Sequence, residues 1–217
     1  MPSALLASVS AAEPAPSADA AAADLADLFV LLAAAFAPPP AALATREWCE
    51  PLAADLRDLG LALDLDTAAA QRALRDAANG PLAGEPWLIE YSRLFLVPPV
   101  AVTLNTGIYL EGGLAGVSAQ MMRQCYATAG FAQREGFRDL PDHVAIQLEF
   151  VGALLGRHAD GEADSLAMAC EFADGFVAHW VGPLHDACLK SAATHPAAGV
   201  YAALVEVLQA ATDRIAQ

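Results

Sequence analysis

Between Pro141 and His158 the chain repeats apolar residues along two faces of one helix. Val144, Leu148, Val151 and Leu155 form one stripe at four- and three-residue steps, and Ile146, Phe150 and Leu154 form a second at four-residue steps. A helix apolar on two sides has to be packed on two sides, so this segment is expected at the centre of a bundle. The composition agrees: Ala and Leu dominate while Val, Ile, Thr and aromatic residues are sparse, which favours helices packed on helices over sheets. The expected fold class is all-α, a single helical bundle of roughly eight to ten helices, since a chain this long can bury one medium-sized core.

Residues 1–18 are rich in Ala, Ser and Pro and lack periodicity, so they are expected to form a disordered tail ahead of a helical domain over 19–217. A first helix starts near Asp19 or Asp24, turns Leu25, Leu28, Phe29 and Leu32 inward, and stops before the prolines at 38–40. Two helices of peripheral character follow. One runs from Ala41 to Leu59, interrupted by Pro51 and closed by Gly60, and the other from Asp66 to Ala78. In "GEPWLIEYSRLFLVPP", 84–99, Trp87, Tyr91, Leu94 and Phe95 share one helical stripe and the two prolines end it. Val100 to Gly116 is Gly-rich and irregular, a long connection of the kind that is mobile or functional. Further helices are expected from Ser118 to Ala129, Glu162 to Val181, Pro183 to Ala193 and Pro196 to Ile215.

Twenty-six acidic against eleven basic residues give a formal charge of −15, which repels phosphate backbones and anionic lipid surfaces. Nucleic acid is therefore excluded as a natural partner, whereas a basic peptide is electrostatically compatible. Cys49, Cys125, Cys170 and Cys188 are scattered without a C-x-x-C pair and read as reduced, mostly buried thiols. No Lys or Arg precedes Arg46, so the basic start of a secretory signal is missing. The apolar run from Leu28 to Ala37 is too short for a membrane span. A cytoplasmic protein without stable membrane insertion is expected.

Phosphate-binding and nucleophile-elbow motifs are missing, and His158, His179, His185 and His195 show no ligand spacing with the cysteines. No catalytic residue, metal site or cofactor is assigned. The step "DLPDHVAIQ", 139–147, leaves several readings open. Adjacent helical side chains diverge by about 100°, so Asp142 and His143 do not form a triad pair by adjacency. Asp142 suits the helix dipole, with Asp139 as a possible cap. A small helical enzyme using Asp142 and His143 as acid and base, and a helical adaptor, are the alternatives. Similarly, Glu90 and Arg93 at a three-residue step suit a surface ion pair, and Tyr91 and Phe95 suit a core.

"EYSRLFLVPP", "LPDHVAIQLEFVGALL", "FVAHWVGPLHDACL" and "VYAALVEVL", in this order and spacing, resemble the TorD/DmsD family of redox-enzyme maturation chaperones. The resemblance runs from about Ala20 to the C-terminus and is distinctive after residue 85. Gln147 stands where the family's helix often carries Glu. The resemblance implies a TorD-like helical chaperone of the cytoplasm that is not an enzyme. Such a chaperone binds the twin-arginine leader, the body, or both, of an immature molybdopterin oxidoreductase, and holds it back from export until the cofactor is inserted. It further implies a peptide-binding region that includes Glu90, Tyr91, Phe95, Pro141, Asp142, His143 and Glu149.

Overall fold

The computed structural model describes residues 18–132 and 139–215; the expected tail over 1–18 lies, apart from Ala18, outside the described residues. In chain order the helices are α1 (Ala18–Phe36), α2 (Thr45–Leu63), α3 (Ala68–Asn79), α4 (Trp87–Phe95), α5 (Gly107–Glu111), α6 (Val117–Thr128), α7 (Val144–Ala159), α8 (Ala163–Phe172), α9 (Ala178–Ser191) and α10 (Pro196–Ile215). A π turn, Ala173–Val177, joins α8 to α9. The expected all-α class is the observed one.

α7 is packed on two sides, with Val144, Leu148, Val151 and Leu154 fully buried and its main contacts made to α1 and α8. Gly152 permits the close crossing with α1. A Cβ there would lie 2.9 Å from Val30 Cγ2 and 3.0 Å from the Ala26 carbonyl oxygen, tighter than side chains tolerate. α10 shares the centre: thirteen of its twenty residues are buried. Its Tyr201 is fully buried, accepts a hydrogen bond from Trp87 Nε1 at 3.2 Å and meets the ring of Phe95 edge to face at 4.7 Å. Trp87 in turn stacks on Trp48 at 4.8 Å.

Three boundary expectations are corrected. α2 runs through Pro51 and past Gly60 to Leu63, where Asp64 takes a left-handed conformation (φ 52°, ψ 47°) and closes the helix with its own N–H. Pro51 removes one helical hydrogen bond, but Cys49, Leu52 and Leu56 hold the helix to the core. Leu56 and Leu74 are fully buried, so α2 and α3 contribute to the core and are not merely peripheral. Near the C-terminus, α9 continues through Gly182 and Pro183, and the irregularity falls earlier, at the π turn. Trp180, Val181, Leu184 and Cys188 form the buried face that keeps α9 continuous. Burial pushes the thiols of Cys49 and Cys188 up to about 12, Glu50 adding to the effect at Cys49.

Candidate functional site

The Pro-Asp-His step lies at the entrance to α7, clasped by the segment 104–107. The Leu104 carbonyl accepts the Val144 N–H at 2.8 Å, and Asn105 and His143 form an isolated antiparallel bridge. Asp142 is fully buried. Its Oδ2 accepts the Gly107 N–H at 2.9 Å, and Asn105 Nδ2 donates to its Oδ1 at 3.4 Å. Its backbone oxygen accepts three donors: the Thr106 N–H at 3.0 Å, Thr106 Oγ1 at 3.1 Å and Gln147 Nε2 at 2.8 Å. Only glycine fits at 107, because a Cβ would stand 2.7 Å from the Gly113 carbonyl oxygen and 2.9 Å from Asp142 Oδ2. The carboxyl of Asp142 therefore anchors the loop to the helix entrance.

The helix cap falls on His143, not on Asp139, the cap candidate of the sequence. His143 is the N-cap of α7, its Nδ1 accepting the Ala145 N–H at 3.1 Å, while Asp139 Oδ1 takes the Leu140 N–H and Asn105 Nδ2. Capping through Nδ1 requires that nitrogen to be unprotonated. Burial lowers the His143 pKa from 6.5 and outweighs the opposing charges of Asp139 and Asp142, although Asp139 Oδ2 lies 3.9 Å from Nε2. Neither side chain of the expected acid–base alternative is exposed: Asp142 is 0% and His143 3% accessible.

Gln147 completes the network, and its role was not legible in the sequence. Its amide nitrogen donates to Thr106 Oγ1 at 2.8 Å as well as to the Asp142 carbonyl, and its Oε1 accepts Trp180 Nε1 at 2.9 Å. An ionised Glu could accept from Trp180 but could not donate to the carbonyl, so the amide at 147 matches this environment. Asn105, Thr106, Gly107 and Trp180 were equally missed. Their partners lie 33 to 41 residues away along the chain, beyond the reach of helical spacing.

The other signature segment supports the same clasp. Glu90 is buried and pairs with exposed Arg93 at 2.6 Å, the i,i+3 ion pair expected from spacing. Tyr91 and Phe95 are core, their rings 4.9 Å apart, and the Tyr91 hydroxyl donates to the Phe36 carbonyl at 3.0 Å. Burial, with the charge of Asp139 second, raises the Tyr91 phenol above its ordinary range. The Val102 N–H binds the Leu94 carbonyl at 3.1 Å, so both signature segments grip the connection between them. The Pro141 carbonyl accepts the Tyr126 hydroxyl at 2.8 Å, tying α6 to the step. Glu149 alone of the seven implied site residues is exposed; the other six are turned into the protein by the packing they anchor.

What this framework presents outward is apolar. Leu96, Val97, Val100, Ile108, Leu114, Val117 and Met121 are 38% to 64% exposed, seven of the eleven exposed large hydrophobic residues recorded among the described residues. The stretch is ordered by internal bonds: the Tyr109 hydroxyl donates to the Thr103 carbonyl at 2.9 Å, and Glu111 caps α6 by accepting Val117 N–H, Ser118 N–H and Ser118 Oγ. The Ser118 hydroxyl contributes most to holding the Glu111 carboxyl below its usual range.

An all-helical fold of this kind is also found in a candidate redox enzyme maturation protein from Archaeoglobus fulgidus. The two are 17% identical, with a TM-score of 0.51 over 90% of this chain and 94% of that one, a likeness of fold. Residues 61–186, more than half the chain and including both signature segments, match the family model for the nitrate reductase delta subunit. The chain belongs to that family, one of TorD-like redox enzyme maturation chaperones. No curated protein sequence matches it.

Proposed function

We propose that this maturation protein binds the immature form of a nitrate reductase-type molybdopterin oxidoreductase. In this reading it engages the twin-arginine leader and the body of the client in the cytoplasm, without catalysis of its own, and delays export until the cofactor is inserted. The observation that carries the reading is the concentration of exposed apolar side chains between Leu96 and Met121 on a connection held by the Asp142 network. Exposed apolar side chains gathered in one stretch of a folded protein favour an interaction site over a purely solvated face. Glu90, Tyr91, Phe95, Pro141, Asp142 and His143 act here as the frame of that surface, and Glu149 is an exposed acid on α7, seven residues after Asp142. Family membership supports the client class. Among the described residues no helix is long and apolar enough to cross a membrane, which agrees with a protein working beside its client before export.

The test uses a purified nitrate reductase-type catalytic subunit with its leader, in cofactor-free and cofactor-loaded forms. The wild-type chain should retain the cofactor-free form in preference. The L114S/V117S/M121S variant changes only exposed positions and should retain about tenfold less, with unaltered thermal unfolding. Equal retention of both client forms, or undiminished retention by a folded variant, overturns the proposal.

A further inference from the structure

Away from the frame described above, the start of α10 borders a space that the packing does not fill. A half-enclosed cavity of about 370 Å³ lies between the first turns of α10, the second half of α3 and the start of α4. Its surface is carbon almost throughout: Ala73 and Ala77 come from α3, Leu82 from the turn after it, Trp87 from α4 and Val200 from α10. Trp87 is a fixed wall, because it stacks on Trp48. The two side-chain donors of the lining are already used inside the fold. Thr45 Oγ1 donates to the Glu85 carbonyl at 2.9 Å, and Trp87 Nε1 to the Tyr201 hydroxyl at 3.2 Å. Asp76, the one ionisable residue among those lining the cavity, is itself exposed. Gly199 supplies a second observation. It borders the cavity from within α10, where glycine is less favourable than alanine, yet a Cβ there meets no atom within 4 Å. Neither a close crossing nor a positive φ requires glycine at 199, so the helix gives up stability at a point where a side chain would occupy open space.

We infer that this cavity is a binding site for a small, uncharged, apolar ring molecule the size of a fused two-ring system. An apolar cavity of about 150 Å³ already holds one benzene ring, and small-molecule pockets begin at about 300 Å³. The chemistry of the walls selects the ligand class. With both side-chain donors spent, a charged or strongly polar group entering the cavity loses its hydration and receives nothing in return. Asp76 beside it disfavours an anion further. Removal of apolar surface from water and contact with the Trp87 ring supply the affinity. A wall that is already in place keeps the cost of ordering low. The cavity shares no lining residue with the apolar stretch between Leu96 and Met121, and the inference does not depend on the client assigned to that stretch.

The experiment titrates the full chain calorimetrically with two probes of equal ring size, indole and the nitrogen-rich purine. Indole should bind saturably, and purine at least about tenfold more weakly, because its ring nitrogens find no partner in the walls. Gly199→Leu places a side chain in the cavity from α10, and Ala73→Leu does so from α3. Each should weaken indole binding by at least about tenfold, and Gly199→Leu should do so without lowering the thermal midpoint, since leucine is the better helix former. Absence of saturable indole binding to the wild-type chain overturns the inference, as does equal affinity for purine. Undiminished indole binding by either folded variant overturns it as well. Amide chemical shifts of the wild-type chain give a readout that needs no variant: indole should perturb residues 73–82 and 197–200, and perturbations confined to 96–121 count against the cavity. Gly199→Leu is also passed through the client retention assay, where it should match wild type. A loss of retention would assign the cavity to a side chain of the client and overturn a small-molecule site. Failure of the wild-type chain to retain any client would remove the proposed function and leave the indole result standing.

Discussion

Asp142 and the acids of an open groove between α1 and α2 are the same residue type in opposite settings. Asp142 is fully buried, with its oxygens directed at Gly107 N–H and Asn105 Nδ2. Asp24, Asp27 and Asp55 line an open groove without an ion-pair partner among the described residues. A carboxyl that is bonded inside the fold contributes stability and is closed to ligands. A carboxylate left at the surface contributes little to stability and keeps its charge available. The motif residue is therefore the structural one, and the acids outside any motif are those left at the surface.

The largest effect expected from this contrast is in Asp142→Ala. It leaves a buried N–H unsatisfied and opens a hole beneath the 104–107 loop, and should cost about 3 kcal/mol by denaturant unfolding. A loss below about 0.5 kcal/mol, the level of an ordinary surface substitution, would erase the distinction. Gly107→Ala should follow at about 2 kcal/mol, because its Cβ meets a backbone carbonyl as well as the Asp142 carboxyl. Unfolding with wild-type stability would mean that the loop does not need to approach Asp142 so closely.

His143 gives a smaller, pH-dependent effect. Its pKa is depressed in the folded protein, so the unfolded chain binds the proton first as pH falls below about 6.5. Its contribution is fully present above that pH and declines on acidification towards the lowered folded value. His143→Asn keeps an oxygen for the cap and does not titrate. Stability measured between pH 7 and 5 should therefore fall less steeply in the variant than in wild type, and parallel slopes would refute the assignment. The smallest effect is that of D24N/D27N/D55N on stability, expected within about 0.5 kcal/mol of wild type. A loss comparable to that of Asp142→Ala would show that these acids, too, serve the fold.

The sequence by itself determined the helical class, the burial of α7 on two sides and the start of α10 at Pro196, because each depends on local rules: apolar periodicity, proline geometry and composition. It also contained the ion pair of Glu90 with Arg93 and the core positions of Tyr91 and Phe95, which lie within one or two turns of each other. Resemblance picked out the Pro-Asp-His step, but not which way its side chains face. Only the tertiary structure decided that, because the Gly107 amide, the Thr106 hydroxyl and the Gln147 and Trp180 bonds reach the step from other elements. The continuation of α2 beyond Gly60 and of α9 through Pro183 was decided in the same way, by buried faces that outweigh the local preference to stop. The pairing of Asp24 and Asp27 with Asp55 and Asp58 across one groove is likewise a product of packing. Periodicity reports which face of a helix is apolar, whereas the partner of that face, and the charges brought to its edges, depend on how the helices close on one another.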